Sequence, residues 1–374
     1  MINGIYDAAP RYLHLEPTSD CNARCPQCPR TLTSTLETHP NLEIKEWTPR
    51  QIKGILKNEY FKTLEHVLIN GNFGDIVMHS NPKALIATIL KFKVKVEIRT
   101  NGGALGVEFW KWLGSFKNVE VEFGIDGLAD THHLYRRNTR FDTVIKNAKS
   151  FIDAGGNASW AMTVFKHNDH QVGKCKALSL EYGFKKFKER PSVRWNENRD
   201  YIIVDKSKQE SYRLEPSSAI ADRFSHLPKQ SYEAESYDAS SVSKSEVSLL
   251  SDDGIVTAPN EVICKVKKSS SVYLSADGRL WPCCWVAFDA QNSLLNMVPG
   301  SFSSRFYKQK NYPLDFNNII KNDIKDVIAS GLFLEIEKAW LSKNPFNSCA
   351  SQCTTHTEWN TQLANTKVLR NNNQ

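Results

Sequence analysis

Three cysteines lie close together near the start of the chain, in the stretch "SDCNARCPQCPR". Three residues separate Cys21 from Cys25, and two separate Cys25 from Cys28. Thiolates at these spacings can bind one metal centre. Three interpretations are therefore possible: a zinc site, a redox dithiol or an iron–sulfur cluster. Structural zinc usually takes a second closely spaced pair of ligands. The next cysteine, Cys175, is distant and isolated, which favours a cluster that three thiolates hold and that leaves one iron open.

A second set of cysteines lies in the last third of the chain. The total of nine cysteines is odd and clustered, which fits metal or redox chemistry in a reducing compartment better than a disulfide framework. Four cysteines in two pairs can also bind tetrahedral zinc, so a structural zinc site is an alternative interpretation of this set. Cys175 is interpreted as a packed residue on a helix face. The members of the second set are Cys264, Cys283, Cys284, Cys349 and Cys353.

The elements that must position these cysteines alternate between strands and helices from about residue 12 to 190. Strand–helix–strand alternation predicts parallel βαβ units, whose ligands bind at the carboxyl ends of the strands. Asn70, Thr100, Asn101 and Asp126 all fall at such predicted ends. The predicted strands are 66–70, 94–101, 119–126 and 158–165, and the predicted helices are 48–60, 81–92 and 141–156.

The order of these motifs resembles one known family. The stretch "LEPTSDCNARCPQCPR" (15–30) resembles the C-x3-C-x2-C signature of radical S-adenosylmethionine (radical SAM) enzymes, which follows the first strand of a partial (β/α)6 barrel. "INGNFGD" (69–75), "RTNGG" (99–103) and the segment 124–156 are similar to later strand-end motifs of that family, in the same order. The resemblance covers most of residues 12–190 and implies an α/β fold with such a barrel.

The resemblance also implies cofactors and roles. Cys21, Cys25 and Cys28 would hold a [4Fe–4S] cluster whose open iron binds SAM, and reduction would release a 5′-deoxyadenosyl radical that abstracts hydrogen from a substrate. Arg136 would reach the SAM carboxylate, and Asp75 its ammonium group. Gln27 departs from the aromatic residue that is common before the third cysteine. The residues implied in SAM binding are Gln27, Gly71, Asn72, Gly74, Asp75, Thr100, Asn101, Asp126 and Arg136.

The second cysteine set resembles the auxiliary-cluster domain called twitch or SPASM. The spacing of Cys264, Gly278 and Cys283 resembles the start of that domain, and the pair Cys349 and Cys353 would complete four ligands for one auxiliary [4Fe–4S] cluster. The chain lacks the further C-x2-C group of a full SPASM domain, which favours the shorter twitch form. "SVYLSADGRLWPCCWVAF" (271–288) predicts a hairpin that turns at Asp277-Gly278. On its second strand Cys284 would point away from Cys283, so Cys283 is the predicted ligand.

Three domains are predicted: a barrel over residues 1–200, a Ser- and charge-rich connector over 201–260, and a small cysteine-rich α+β domain of the twitch or SPASM type over 261–374. The net charge of +7 is spread along the chain. The clusters "FKKFKER" (184–190) and "CKVKKSS" (264–270) are interpreted as solvated surface, with a nucleic-acid patch as the alternative. No apolar run is long enough for a membrane span and no secretory signal is recognisable, so a cytoplasmic location without a membrane is expected.

Three classes of function follow. The favoured class is a radical SAM enzyme that acts on a peptide or protein, with electrons from an external ferredoxin- or flavodoxin-type donor. The second is a radical SAM enzyme that modifies a nucleic acid or a small metabolite, for which the basic clusters are the support. The third is a non-catalytic iron–sulfur or zinc-binding interaction protein. No substrate can be identified from the sequence.

Overall fold

The computed structural model describes residues 9–32, 35–192, 194–195, 201–205, 210–217, 262–294, 315–341, 346, 348–349 and 353. Six parallel strands, each followed by a helical connection until the last, form an open sheet in the order β1 to β6. The predicted strands and helices of this region are confirmed to within a few residues. The elements are β1 (Tyr12–Leu15), α1 (Pro49–Leu56), β2 (His66–Ile69), α2 (Pro82–Leu90), β3 (Lys95–Thr100), α3 (Val107–Gly114), β4 (Val119–Gly124), α4 (His132–Tyr135), α5 (Phe141–Asp153), β5 (Asn157–Val164), α6 (Val172–Glu181) and β6 (Lys186–Pro191).

Local sequence explains where the helices begin. Thr48 accepts a hydrogen bond from the Gln51 N–H while the Gln51 side chain accepts from Thr48, which closes a capping box ahead of the proline that starts α1. Asn81 caps α2 in the same way by accepting from the Ala84 N–H, again before a proline. These caps satisfy backbone donors that the first helical turn leaves free.

The sheet has one apolar and one polar face. On β3, Val96 and Ile98 are fully buried on the side that packs against the helices, whereas Glu97 and Arg99 occupy the alternate positions. The helix-facing core continues through large aromatic side chains on neighbouring elements, such as Trp110 on α3 and Trp160 on β5. The fold therefore buries its apolar surface behind the sheet and leaves a polar concavity in front of it.

The C-terminal part of the chain returns to this sheet. A hairpin of β9 (Ser271–Leu274) and β10 (Leu280–Trp281) pairs with β1, so that β9 is parallel to β1 and the sheet has eight strands in the order β10-β9-β1-β2-β3-β4-β5-β6. The predicted turn is confirmed, and Gly278 adopts a positive φ of 93° there. The remaining described helices are α7 (Lys265–Ser269), α8 (Cys284–Leu294), α9 (Ile324–Ala329) and α10 (Leu332–Leu341).

The second half of "WPCCWVAF" is helical, so the prediction of a strand through Cys284 is wrong. Strand β10 ends at Trp281 because Pro282 has no N–H for the ladder. The sulfur of Cys283 then accepts a hydrogen bond from the Val286 N–H at 3.4 Å, which caps the first turn of α8. Because the helix begins at Cys284, strand alternation does not separate the side chains of Cys283 and Cys284.

Part of the predicted connector is a second sheet. Strands β7 (Tyr201–Asp205) and β8 (Glu210–Leu214) form an antiparallel hairpin, whereas the rest of the predicted connector, 206–209 and 218–260, lies outside the described residues. The buried guanidinium of Arg137 forms ion pairs with Asp205 and Glu210 of this hairpin. The division into three domains stays a prediction. Among the described helices, none has the length and apolarity that crossing a membrane requires.

We expect Gly74→Ala to destabilise the protein. A methyl group at Gly74 would lie 1.8 Å from the Thr18 carbonyl oxygen, so the loop after β2 would have to move away from the loop after β1. Overpacking of this kind typically lowers the free energy of unfolding by about 1–3 kcal/mol. Gly173→Ala is the matched control, because nothing lies within 4 Å of the added methyl group in helix α6. Thermal denaturation of both variants checks the prediction; equal melting temperatures would contradict it.

Candidate functional site

The three-cysteine loop follows β1 at the carboxyl end of the sheet. The buried guanidinium of Arg30 donates to the Cys21 carbonyl oxygen at 2.6 Å, and the Cys28 N–H donates to the Cys25 carbonyl oxygen at 2.9 Å. The N–H of Arg24 donates to the Arg137 carbonyl oxygen at 3.0 Å. Backbone contacts therefore shape this loop, and the cysteine side chains are left free of disulfides.

Two of the three sulfurs have polar donors beside them. The Nδ2 of Asn101 lies 3.6 Å from the Cys21 sulfur, and the Nη1 of Arg136 lies 3.9 Å from the Cys25 sulfur. Burial raises the pKa of the Cys25 thiol to about 11, although the Arg136 cation acts in the opposite direction. Three neighbouring thiols, two of them with N–H donors beside their sulfurs, fit an iron–sulfur cluster, since hydrogen bonds to the sulfurs tune its potential. Within the described residues, no three Cys, His, Asp or Glu side chains converge closely enough to hold a single metal ion.

Asp75 connects the loop after β2 to the end of β3. Its Oδ1 accepts from the Thr100 hydroxyl at 2.7 Å, and its Oδ2 accepts from the N–H of Asn101 at 2.7 Å and from its Nδ2 at 2.8 Å. Burial raises the pKa of this carboxyl against the effect of these donors. The structure thus brings together three residues that the sequence predicts at the site, and the Asn101 amide extends the network to Cys21.

The loop between Gly71 and Gly74 depends on a residue that sequence reasoning missed. The buried carboxylate of Glu16 accepts from the Phe73 N–H at 2.8 Å, and a Cβ at Gly71 would lie 2.7 Å from the same oxygen. The position of Glu16, directly after an apolar strand and before the cysteine motif, is the sequence feature that could have identified it as a site residue. Asn72 donates to the Cys284 carbonyl oxygen at 3.0 Å, so its side chain is directed toward the second cysteine set.

The buried Asp126 and the partly exposed Arg136 form an ion pair beside Cys25. The Nε of Arg136 donates to Asp126 Oδ2 at 2.6 Å, and the Thr163 N–H donates to Asp126 Oδ1 at 2.5 Å. Asp126 is 0% exposed, and its N–H donates to His132 at 3.2 Å. Both carboxylate oxygens of Asp126 therefore accept hydrogen bonds from other residues of the chain. The bond from Arg136 orients its guanidinium toward the Cys25 sulfur.

Asp126→Asn is expected to disrupt this arrangement. The amide that replaces one oxygen would face a donor, either Arg136 Nε or the Thr163 N–H, and would leave the partly exposed guanidinium without its counter-charge. Breaking a fully buried ion pair costs about 3–5 kcal/mol of stability, and because the Arg136 side chain is 23% exposed we expect a loss near the lower end, about 3 kcal/mol. Denaturant unfolding measures the loss, with Asp142→Asn on the partly exposed first turn of α5 as the control. A loss no larger than that of the control would contradict the prediction.

Gln27 also has a defined contact. Its Oε1 accepts from the Ser192 hydroxyl at 2.5 Å, and its Nε2 donates to the Arg194 carbonyl oxygen at 2.6 Å. Arg194 Nη1 in turn donates to the Gln27 carbonyl oxygen at 3.2 Å. The polar residue that departs from the family pattern thus ties the segment after β6 to the cysteine loop.

The second cysteine set gathers beside the hairpin and α8. The thiol of Cys264 hydrogen-bonds that of Cys353, and this bond lowers the pKa of Cys353. Cys283 interacts electrostatically with Cys284 most strongly, and then with Cys349 and Cys353. The strongest charge acting on Cys284 is instead that of Arg99. Burial raises the pKa of the Cys284 thiol to about 11, and the Arg99 cation opposes this rise. Ser348 donates to Asp289 of α8, which places the neighbouring Cys349.

One cavity of about 680 Å³ extends between the two cysteine sets. It is lined by all three cysteines of the first set and all five of the second, and also by charged residues of the sheet that sequence reasoning missed. The cluster "FKKFKER", interpreted as solvated surface, is largely strand β6, and its Lys188 and Arg190 face the carboxylate of Glu122. For Lys188 and Arg190 that interpretation is wrong, because Glu122 on another strand compensates their charge, whereas Lys185 and Glu189 of the same cluster are exposed. The sequence feature that could have indicated these ion pairs is a charged residue at every second position of the strand segments "VKVEIRT", "VEVEFG" and "KFKERP".

Comparisons with known proteins are consistent with this architecture. Residues 15–176 match the model of the family described as the radical SAM superfamily. The antilisterial bacteriocin subtilosin biosynthesis protein AlbA of Bacillus subtilis (strain 168) is 22% identical over 228 residues, which cover 58% of this chain and 48% of AlbA. This chain therefore spans about half the length of that curated relative.

Solved structures share the fold at low sequence identity. The structure of anSMEcpe with bound AdoMet is 15% identical, covers 92% of this chain and 89% of its own, and has a TM-score of 0.52. The structure of anSMEcpe with AdoMet and the Cp18Cys peptide has a TM-score of 0.51 at 15% identity, with the same coverage. Streptococcus suis SuiB bound to S-adenosylmethionine is 15% identical, with a TM-score of 0.48 over 85% of this chain and 76% of its own.

Proposed function

We propose that the protein is a radical SAM enzyme that cleaves SAM reductively and abstracts hydrogen from a peptide or protein, a proposal that starts from the match of residues 15–176 to the radical SAM superfamily. The observation that carries the proposal is the strand-end site, where the buried Cys25 has the Asp126-oriented Arg136 beside its sulfur. Cys21, Cys25 and Cys28 would hold a [4Fe–4S] cluster. When bound, this cluster supplies the electron that breaks the C–S bond of SAM and yields the 5′-deoxyadenosyl radical.

The chain's own residues would position SAM and exclude water. Arg136, pre-oriented by Asp126, presents a guanidinium to the SAM carboxylate, while the Glu16-braced loop from Gly71 to Gly74 presents backbone groups to the methionine part. Asp75, whose oxygens already accept bonds from Thr100 and Asn101, acts by fixing that loop against β3. We expect Gln27 to act by keeping the segment after β6 over the site.

The second cysteine set would hold one auxiliary [4Fe–4S] cluster in a twitch-type domain. The thiols of Cys264, Cys283, Cys349 and Cys353 interact with one another, which supports these four as ligands. The choice of Cys283 over Cys284 rests on its spacing from Gly278. Because this set lines the same cavity as the first, a substrate in the cavity would lie between the two clusters. Electrons would come from an external ferredoxin- or flavodoxin-type donor, in the cytoplasm.

A peptide or protein is the proposed substrate class for two reasons. The anSMEcpe fold, which this chain shares, has been solved with a bound peptide, and AlbA is named for the biosynthesis of a bacteriocin. The cavity is also large enough for a few residues of a peptide beside a cofactor.

The test is anaerobic purification and reconstitution, followed by iron and sulfide analysis and incubation with SAM and dithionite. We expect about eight irons per chain, since two [4Fe–4S] clusters contain that number, and formation of 5′-deoxyadenosine. Stoichiometric zinc without 5′-deoxyadenosine would identify a zinc-binding protein instead. Mass spectrometry of peptides and RNA from cells with and without the protein then identifies the substrate.

A further inference from the structure

Three cations surround one buried carboxylate on the cavity face of the sheet. Lys188 Nζ lies 2.6 Å and Arg190 Nη2 lies 2.8 Å from oxygens of Glu122, and Arg99 Nε lies 3.8 Å away. We name these four residues, Arg99, Glu122, Lys188 and Arg190, the cationic wall. Its geometry depends on β5, where Ser159 and Ala161 are small enough for β6 side chains to reach Glu122 on β4.

The cationic wall has more positive than negative charge. Glu122 is only 5% exposed, yet it stays ionised: burial raises its pKa, but Arg190, Arg99 and Lys188 lower it to about 2. Arg99 also contacts Glu97 at 2.9 Å, and with that carboxylate included the cations still exceed the anions by one. The side chain of Arg190 is 37% exposed and lines the cavity, so donors of its guanidinium can reach a ligand there.

A second guanidinium points into the same space. Arg194 lines the cavity, donates to the Gln27 carbonyl oxygen and lies 5.7 Å from the centre of the Phe288 ring. Within the part of the chain that the structure describes, no carboxylate lies within ion-pair distance of Arg194. A buried or half-buried cation without a counter-ion is unfavourable unless a ligand supplies one.

We propose that Arg190 and Arg194 recognise a carboxylate of the substrate peptide, from an Asp or Glu side chain or from the peptide's chain end. The inference rests on the proposed function, because it names the substrate chemistry of the same cavity. A guanidinium fork matches one carboxylate bidentately. A nucleic-acid backbone would need a row of cations along many phosphates, whereas here the excess positive charge is confined to one wall of the cavity.

The test is affinity selection from a synthetic library of random peptides on the reconstituted full chain, read by mass spectrometry. One library has amidated C-termini and a second has free C-termini, so that side-chain and chain-end carboxylates are distinguished. We expect Asp and Glu, or free C-termini, to be enriched about tenfold over their neutral counterparts, which corresponds to about 1.4 kcal/mol for one ion pair. A single-stranded RNA oligonucleotide is offered as competitor.

Four variants test which side chains cause the selection. Arg190→Gln and Arg194→Gln should each lose most of the enrichment, whereas Arg50→Gln on the exposed side of α1 should keep it. Arg190→Glu should select Lys and Arg instead. Circular dichroism establishes that each variant is folded, and iron analysis establishes that it contains its iron–sulfur clusters. The proposal is overturned by selected peptides without acidic enrichment, by enrichment that survives in both Gln variants, or by RNA that displaces the peptides. The selection needs no SAM cleavage, so loss of cleavage would overturn only the proposed function.

Discussion

Cys25→Ala abolishes SAM cleavage: this is the largest effect we expect from a single substitution. Cys25 is 7% exposed, and its sulfur is the one nearest the Arg136 guanidinium. Alanine keeps the backbone of the loop but removes a thiolate that no neighbouring side chain can replace. Because loss of an outer-shell partner alone typically reduces metal affinity or activity about 10–100-fold, loss of a ligand should reduce 5′-deoxyadenosine formation by more than a hundredfold.

Cys175→Ala is the matched control for this measurement. Cys175 is equally a buried cysteine, but it lies on α6 within the apolar core and outside the cavity. Its loss should leave iron content and the rate of 5′-deoxyadenosine formation at the level of the unmodified protein. If Cys25→Ala cleaves SAM as fast as Cys175→Ala, the assignment of the first cysteine set is wrong.

Cys353→Ala should remove about half of the iron, since one of two [4Fe–4S] clusters would lose a ligand, and should leave some SAM cleavage uncoupled from substrate. Cys353 is central to its set, because its thiol bonds that of Cys264 and its N–H donates to the Cys349 carbonyl oxygen at 3.0 Å. Iron analysis and electron paramagnetic resonance of the reduced protein measure the change.

Cys284→Ala is the control within the same set. It lies next to Cys283 in sequence, but Arg99 rather than the other thiols dominates its surroundings. Its iron content should therefore match that of the unmodified protein. Unchanged iron in Cys353→Ala, or halved iron in Cys284→Ala, would require a different set of auxiliary ligands.

Much of the fold was predictable because its signals are local. The capping residue Thr48 and the strand composition of 94–101 act within a few residues of chain, and the structure confirms the helix and the strand they predict. The order of strand-end residues such as Asp75 and Asn101 along the chain likewise predicted that they would share one edge of the sheet.

What could not be predicted depends on contacts between distant residues. The lysine-rich β6 looked solvated because only the fold brings Lys188 to Glu122. The apolar run after Pro282 suits a strand by composition, and its helix depends on the cap at Cys283. The sequence showed Gln27 only as a departure from the aromatic residue common at its position, because its partners Ser192 and Arg194 are more than 160 residues away along the chain.

The pairing of β9 with β1 has a consequence for how the protein is made. Strand β1 precedes β2 and β9 along the chain, and β2 can pair with one of its edges soon after both are synthesised. The other edge of β1 presents unpaired backbone groups until residues 271–274 are synthesised. Exposed strand edges template aggregation. A chain that terminates before residue 271 should thus accumulate in inclusion bodies, even though it contains the whole first cysteine set.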